Sequence, residues 1–211
     1  YGVKRIQIIK NYPILSLTQT PNFDKDNNSP LACYVGGLTP IRGVKEMIIS
    51  CAKAGVKLVL AGPFDNEDYL KEMQSLPEWS NVIYMNYIPH DELYEKVYSK
   101  SNLGLVLLQS APNHTYSIPI KQFEYMQSGL PVVSTSAVKF CEEITNETGC
   151  GIVVNPLDID EITKAIKTII SDKELAKQMA EKGYNAVKDN YNWSSQEKLL
   201  VDFYASGMKK N

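Results

Sequence analysis

The sequence predicts an α/β protein built on a doubly wound parallel sheet, Rossmann-like in layout. Three observations carry that prediction. Short apolar runs rich in valine, isoleucine and leucine recur at Leu31–Gly36, Lys57–Ala61, Asn81–Met85, Leu103–Leu108, Pro131–Thr135 and Gly151–Val154. Most are apolar on successive positions, as strands are when both faces of a sheet are covered. Longer amphipathic stretches fall between them, near 42–54, 66–76, 91–100, 118–128 and 139–146. Strand and helix alternating in this way build a parallel sheet with crossover helices.

Taken in order, the chain divides into three units. Residues 1–30 read as a connector, with a strand expected at Arg5–Ile9 followed by a loop rich in Pro, Asn and Asp. Residues 31–192 hold the strand–helix repeat and its first following helices. In the helix expected over 118–128, Ser117 is a reasonable cap, Pro119 fits the first turn because its missing N–H would be unpaired there, and Gly129 is a stop signal. Beyond the last strand the chain turns helical. Asp158-x-x-Glu161 and Ser171-x-x-Glu174 both resemble capping boxes. Ile162, Ala165, Ile166, Ile169 and Ile170 recur at helical spacing, as do Leu175, Met179, Ala186 and Val187. A last helix, expected from about Ser194 to Ser206, occupies the third unit, 193–211.

Composition bounds the function. The chain has 211 residues, 44% hydrophobic and 22% charged, with a net charge of −2, so no general attraction to nucleic acid or anionic membrane is implied. No apolar run approaches the roughly 18 residues needed to span a bilayer. The chain opens on Tyr1-Gly2-Val3, without methionine or a signal-peptide pattern, and is expected to be a piece of something longer. Cys33, Cys51, Cys141 and Cys150 form no C-x-x-C pair and are expected to be buried free thiols, in keeping with a reducing compartment. No metal-ligand spacing joins them to His90 or His114, so no metal site is expected.

Ligands of open parallel sheets bind beyond the carboxyl ends of the strands. Those ends carry Gly36-Gly37, Gly62, Tyr87, the Gln109–Tyr116 loop and Ser134–Ser136. In GGLTPIRG, Gly36 to Gly43, two glycines let the backbone approach a ligand and Arg42 is expected to open the next helix. The alternative is a tight turn with a solvated arginine. The spacing is not G-x-G-x-x-G, which argues against a nicotinamide oxidoreductase. Lys121 falls in the first turn of the 118–128 helix, at the positive end of its dipole, where lysine is normally disfavoured. An ammonium beside free N–H groups makes an anion pocket. Glu124 and Ser128 share the face of Lys121, opposite a buried face of Ile120, Phe123 and Met126. The alternative is a surface Lys–Glu pair; the functional reading is a phosphate-binding lysine beside a carboxylate for ribose hydroxyls. Asn113, His114 and Tyr116 are expected at the mouth of the same cleft, each equally open to a plain turn role.

The segment PIKQFEYMQSGLPVVSTS resembles the donor-binding segment of family 4 (group 1) retaining glycosyltransferases, which have the GT-B fold. YVGGLTPIRGVKEMI, VKLVLAGPF, VIYMNYIPHDELYEKVYSKSNLGLVLL, CGIVVNPLDIDEITKAIKTII and YNWSSQEKLLVDFY extend the likeness in order over nearly the whole chain. The resemblance implies the C-terminal half of such an enzyme, which binds a nucleoside-diphosphate sugar while a missing N-terminal half binds a saccharide or lipid-linked acceptor. It implies retention of configuration, no cofactor and no metal requirement, and a fragment inactive alone. The role implied is in bacterial cell-surface polysaccharide synthesis, in the cytoplasm or peripheral to the inner face of the membrane. Arg42 and Lys121 would hold the diphosphate, Gly36 and Gly37 would give backbone room, Glu124 would bind the ribose, and backbone at Tyr87 and Ile88 would meet the base. The sequence departs from the family at Tyr116, where a glutamate usually touches the donor sugar, and at Gly37, where an arginine usually stands. Asn113 and His114 are the substitutes for the sugar contact, and a non-catalytic nucleotide-binding module is the alternative reading.

Overall fold

A computed structural model describes residues 6–15, 20–26, 28–112 and 117–208. Six parallel strands, β1 (Leu31–Val35), β2 (Lys57–Ala61), β3 (Val82–Met85), β4 (Leu103–Val106), β5 (Val132–Thr135) and β6 (Gly151–Val154), form one sheet. Their order is β3-β2-β1-β4-β5-β6, the two-halved arrangement whose reversal point lies between β1 and β4. Register is direct, with Cys33 opposite Val59 on one side and Gly104 on the other.

Side chains alternate along each strand, and in the four central strands, β1, β2, β4 and β5, both faces are buried. Ala32, Tyr34, Leu58, Leu60, Leu103 and Leu105 face a layer that contains α1 (Val44–Ala54) and α6 (Ile159–Ser171). Cys33, Val35, Val59, Val106 and Val132 face the opposite layer, with α3 (Leu93–Lys96), α4 (Ile120–Gln127) and α5 (Lys139–Thr148). This is why the strands read as continuous apolar runs. The remaining helices are α2 (Glu67–Gln74), α7 (Lys173–Asp189) and α8 (Trp193–Met208). All four cysteines are free and buried, as the sequence predicts. Burial pushes the Cys33 and Cys141 thiols up to about 12.

Several local expectations are corrected. The described residues of the Arg5–Ile9 segment form no strand, and Ile6 and Ile8 lie exposed. The connector is instead tied down further on. The backbone N–H of Lys10 donates to Gln196 Oε1 at 2.9 Å, Trp193 N–H donates to Pro13 O at 2.8 Å, and Tyr12 packs edge-on against Phe123 and Tyr191. The 91–100 helix breaks into a 3-10 turn at His90–Glu92, the single turn α3, and a 3-10 turn at Tyr98–Lys100. The Ser99 and Ser101 hydroxyls donate to the carbonyls of Glu95 and Val97, which competes with helix continuation. Arg42 ends a 3-10 turn (Pro40–Arg42) and does not open α1. Gly43, at φ 75°, separates the two, because a Cβ there would lie 2.5 Å from the Leu107 carbonyl oxygen.

The Asp158 cap is present, its carboxylate accepting from Asp160 N–H at 3.0 Å and Glu161 N–H at 2.9 Å. The second cap is Asp172, not Ser171; Ser171 ends α6, and Asp172 accepts from Leu175 N–H at 3.0 Å. In α4 the capping position is Pro119, with no side-chain cap, so Ser117 does not serve as predicted. Pro119 has ψ 105°, outside helical range, and helix begins one residue later.

Candidate functional site

Lys121 is the second residue of α4, so it does lie in the first turn. The buried side of this helix is broader than predicted: Gln122, Phe123, Tyr125 and Met126 are buried, Ser128 is buried too, and Ile120 is only half-buried. Gln122 tolerates burial because its amide is satisfied. Its nitrogen donates to Thr145 Oγ1 at 2.9 Å and its oxygen accepts from Ser134 Oγ at 3.2 Å. Tyr125 accepts a hydrogen bond from Val35 N–H at 3.0 Å, which fixes α4 against the carboxyl end of β1.

A cleft opens at that end, at the reversal of strand order. One lobe, of about 260 Å³, has Arg42, Tyr34 and Leu108 on one side and Ser117 to Lys121 on the other. A second lobe, of about 370 Å³, is lined by Gly36, Gly37, Gly62, Tyr87, Ile88 and His90. Lys121 lines both lobes and is their common wall. The glycines explain the floor. A Cβ on Gly62 would stand 2.0 Å from the Gly36 carbonyl oxygen, so the two strand-end loops touch backbone to backbone. A Cβ on Gly37 would meet nothing within 4 Å, and that loop faces open space.

The charges in the cleft are held by neighbours. Arg42 hydrogen-bonds the Tyr34 hydroxyl, which in turn donates to the Gly37 carbonyl at 3.3 Å. Burial raises the Tyr34 pKa, and the Arg42 charge opposes the rise. Lys121 Nζ lies 2.8 Å from Glu124 Oε2; their side chains are 29% and 12% exposed, so this is a half-buried pair and not the surface one. The Tyr98 hydroxyl donates to the same oxygen at 2.8 Å. His90 Nε2 stands 3.6 Å from the other oxygen, Oε1.

The structure therefore brings Arg42, Lys121, Gly36, Gly37, Tyr87 and Ile88 to one cleft, with Glu124 directly behind Lys121. Asn113, His114 and Tyr116 lie outside the described residues. Tyr34, His90 and Tyr98 belong to the same site, though no motif or spacing in the sequence marks them for it. A further cavity of about 380 Å³ lies at the other end of the sheet, between the connector and α6 and α7. It is remote from the reversal point. Among the described residues no group of three or more His, Cys, Asp or Glu side chains is placed to hold a metal, and no helix is long and apolar enough to cross a membrane.

An open parallel sheet of this order, with a cation-lined cleft at its reversal, places the chain among the Rossmann-like α/β domains. The family follows from comparison with known proteins. A model of the family described as glycosyl transferases group 1 matches residues 18–186, and the chain belongs to that family. A search of curated proteins finds no match. Among solved structures, sucrose-phosphate synthase from Thermosynechococcus elongatus is similar at 21% identity and TM-score 0.73, over 89% of this chain and 47% of its own. A variant of S. aureus TarM, in complex with Fondaparinux, alpha-GlcNAc-glycerol and UDP, is similar at 15% identity and TM-score 0.75, over 96% and 40%. The C-terminal domain of a group 1 glycosyl transferase (LpcC) from Francisella tularensis is similar at 19% identity and TM-score 0.66, over 86% and 95%. The chain thus spans about half or less of the first two, and nearly all of an isolated C-terminal domain. The fold is that of the C-terminal domain of a GT-B glycosyltransferase.

Proposed function

We propose that the chain is the donor-binding domain of a retaining glycosyltransferase of the family 4 type. It binds a nucleoside-diphosphate sugar whose glycosyl group passes to a saccharide or lipid-linked acceptor. The observation that carries this reading is the convergence of Arg42 and Lys121 on one cleft at the sheet's reversal, with a half-buried carboxylate beside the lysine. Arg42 and Lys121 face the diphosphate, the open backbone at Gly36 and Gly37 gives it room, and Glu124 accepts the ribose hydroxyls. Backbone at Tyr87 and Ile88 meets the base. As the bond from the anomeric carbon to the diphosphate oxygen breaks, its electron pair stays on the leaving group. The two cations stabilise that charge without a metal, by electrostatics in a preformed site. TarM in complex with UDP supports a uridine donor as the first to test. The acceptor wall is supplied from outside this chain, so the chain binds donor and does not turn over. The activity belongs in the bacterial cytoplasm or peripheral to the inner face of the membrane, in cell-surface polysaccharide synthesis. Asn113, His114 and Tyr116 are the sequence candidates for the sugar contact.

A thermal-shift screen with UDP-, GDP- and ADP-sugars tests this. Ligand at 100 times its Kd stabilises the folded state by about 2.7 kcal/mol, which for a chain of this size raises Tm by roughly 5–10 °C. Lys121→Ala removes a charge-assisted hydrogen bond worth about 1.5–3 kcal/mol, so affinity falls roughly 10- to 100-fold. No shift with any donor, or an unaffected Lys121→Ala, refutes the assignment. Binding that survives EDTA is expected; its loss on chelation removes the metal-free reading. The tyrosine at position 116, in place of the family's acid, favours a second reading: a nucleotide-binding module without catalysis. A full-length protein that binds donor but transfers no sugar would support it, whereas transfer that is lost in Tyr116→Phe or His114→Ala would refute it.

A further inference from the structure

Glu124 is held by a residue with no place in the donor contacts assigned above. Tyr98 is 4% exposed, and its ring stands edge-on to Tyr125 at 5.6 Å between centroids. The break after α3, where Val97 adopts φ −125° and ψ −62°, sets the Tyr98–Lys100 turn off from the helix. Its hydroxyl meets Glu124 Oε2 at 2.8 Å. We propose that Tyr98 is a positioning residue that fixes the Glu124 carboxylate for the ribose diol. The proposal rests on the reading of this cleft as a nucleoside-diphosphate site.

The reasoning starts from what leaves on binding. Among the described residues, Glu124 Oε2 has two donors, Lys121 Nζ and the Tyr98 hydroxyl, while Oε1 has only His90 Nε2 at 3.6 Å, beyond good hydrogen-bond reach. When a diphosphate draws the Lys121 ammonium away, the carboxylate loses one of its two firm partners. The terminal torsion of a glutamate is soft, with broad wells, so the freed group would swivel. Tyr98 cannot follow the phosphate, because its ring is packed in the core. Burial, together with the Tyr125 and Glu124 charges, raises its pKa far above that of an ordinary tyrosine, so it stays a donor throughout the range in which proteins fold. A carboxylate offers about four lone-pair sites. With one Oε2 site occupied by Tyr98, the remaining Oε2 site and Oε1 are held in one plane, suited to two adjacent hydroxyls. Oε1 faces His90, which lines the lobe that also contains Tyr87 and Ile88.

A readout that general destabilisation would not move is the preference for ribose over 2′-deoxyribose. Affinities for UDP and 2′-deoxy-UDP are measured by calorimetry for the chain, Tyr98→Phe and Glu124→Gln. The unsubstituted chain is expected to prefer UDP by about tenfold, the equivalent of one hydrogen bond to a charged group. Tyr98→Phe is expected to weaken UDP at least fivefold and 2′-deoxy-UDP much less, so the preference falls below about threefold. A preference kept in Tyr98→Phe but lost in Glu124→Gln overturns the role of Tyr98 and leaves the donor site standing. Failure of the unsubstituted chain to bind UDP, GDP or ADP overturns both. A second measurement does not depend on the variant folding. In the unsubstituted chain the Tyr98 hydroxyl proton, identified by tyrosine labelling, is expected as a slowly exchanging resonance that persists when UDP is added. Its disappearance on binding would show that Tyr98 releases Glu124, and would overturn the proposal.

Discussion

Gly104→Ala tests the link between the sheet and the cleft with a single methyl group. Gly104 lies in β4, directly under α4, and a Cβ there would stand 2.3 Å from Tyr125 Cδ2 and 2.4 Å from Cγ. Ordinary contact begins near 3.4 Å, so the ring must retreat by about 1 Å. Tyr125 has no free direction: it is wholly buried, stands against Tyr98, and accepts the Val35 N–H bond at 3.0 Å. Overpacking of this kind costs about 1–3 kcal/mol. Leaving the buried Val35 N–H without an acceptor costs about 1–3 kcal/mol more. The expected loss is therefore about 2–6 kcal/mol, read as a fall in the urea midpoint at unchanged m-value. Gly37→Ala is the paired control, since its Cβ would meet nothing within 4 Å and its φ is unremarkable. Its stability is expected to stay within about 0.5 kcal/mol of the parent, or to rise slightly through the unfolded chain. A Gly104→Ala chain as stable as the parent would refute the packing argument and the idea that α4 is locked to β1 through Tyr125.

Other outcomes follow from single features. Asp158→Ala removes the cap of α6 and is expected to cost about 1 kcal/mol by urea unfolding. Asp172→Ala is expected to cost a similar amount, whereas Ser171→Ala, at the position predicted for that cap, stays within about 0.5 kcal/mol. The chain is expected to lose stability in alkali. The Cys33 and Cys141 thiols are raised from 9.0 to about 12 by burial, so their contribution is full below pH 9 and is lost as pH climbs toward 12. Each contributes a slope of about 1.4 kcal/mol per pH unit in that window. Cys33→Ala should flatten the pH dependence by one such increment, and an unchanged slope would count against the burial argument.

What could be read from the sequence follows from what is local. The strands were legible because burial on both faces leaves an unbroken run of apolar residues, and β2 and β6 have the predicted bounds. Glycine at a helix stop is equally local, and Gly129, at φ 69°, follows α4 as expected. The failures have a common cause: they depend on competition or on distance. Ser117 looked like a cap, but Pro119 sets the first non-helical residue. The amphipathic stretch over 91–100 looked like one helix until its serines bonded their own backbone. At the site, Lys121 and Glu124 share a helix and were read together. Tyr98 reaches Glu124 across 26 residues, from the crossover between β3 and β4, and no periodicity expresses that juxtaposition. Tyr34 escaped notice because in a buried strand it reads as core.

The charges of α4 are arranged against the helix that carries them. Lys121 stands near the positive end of the dipole, where a cation costs about 0.3–1 kcal/mol. Its pairing with Glu124 recovers part of this, but lysine preceding glutamate is the less favourable order along a helix. Exchanging the two identities would improve both terms. Nor does burial favour the arrangement, because a carboxylate only 12% exposed gives up much of its hydration and needs both Lys121 and Tyr98 as compensation. A sequence shaped for helix stability alone would place glutamate first and leave both groups in water. The observed order instead puts a cation at the lip of the cleft, in the first turn of α4, and an anchored carboxylate immediately behind it. Local stability is given up where an anion and a neighbouring diol would be bound.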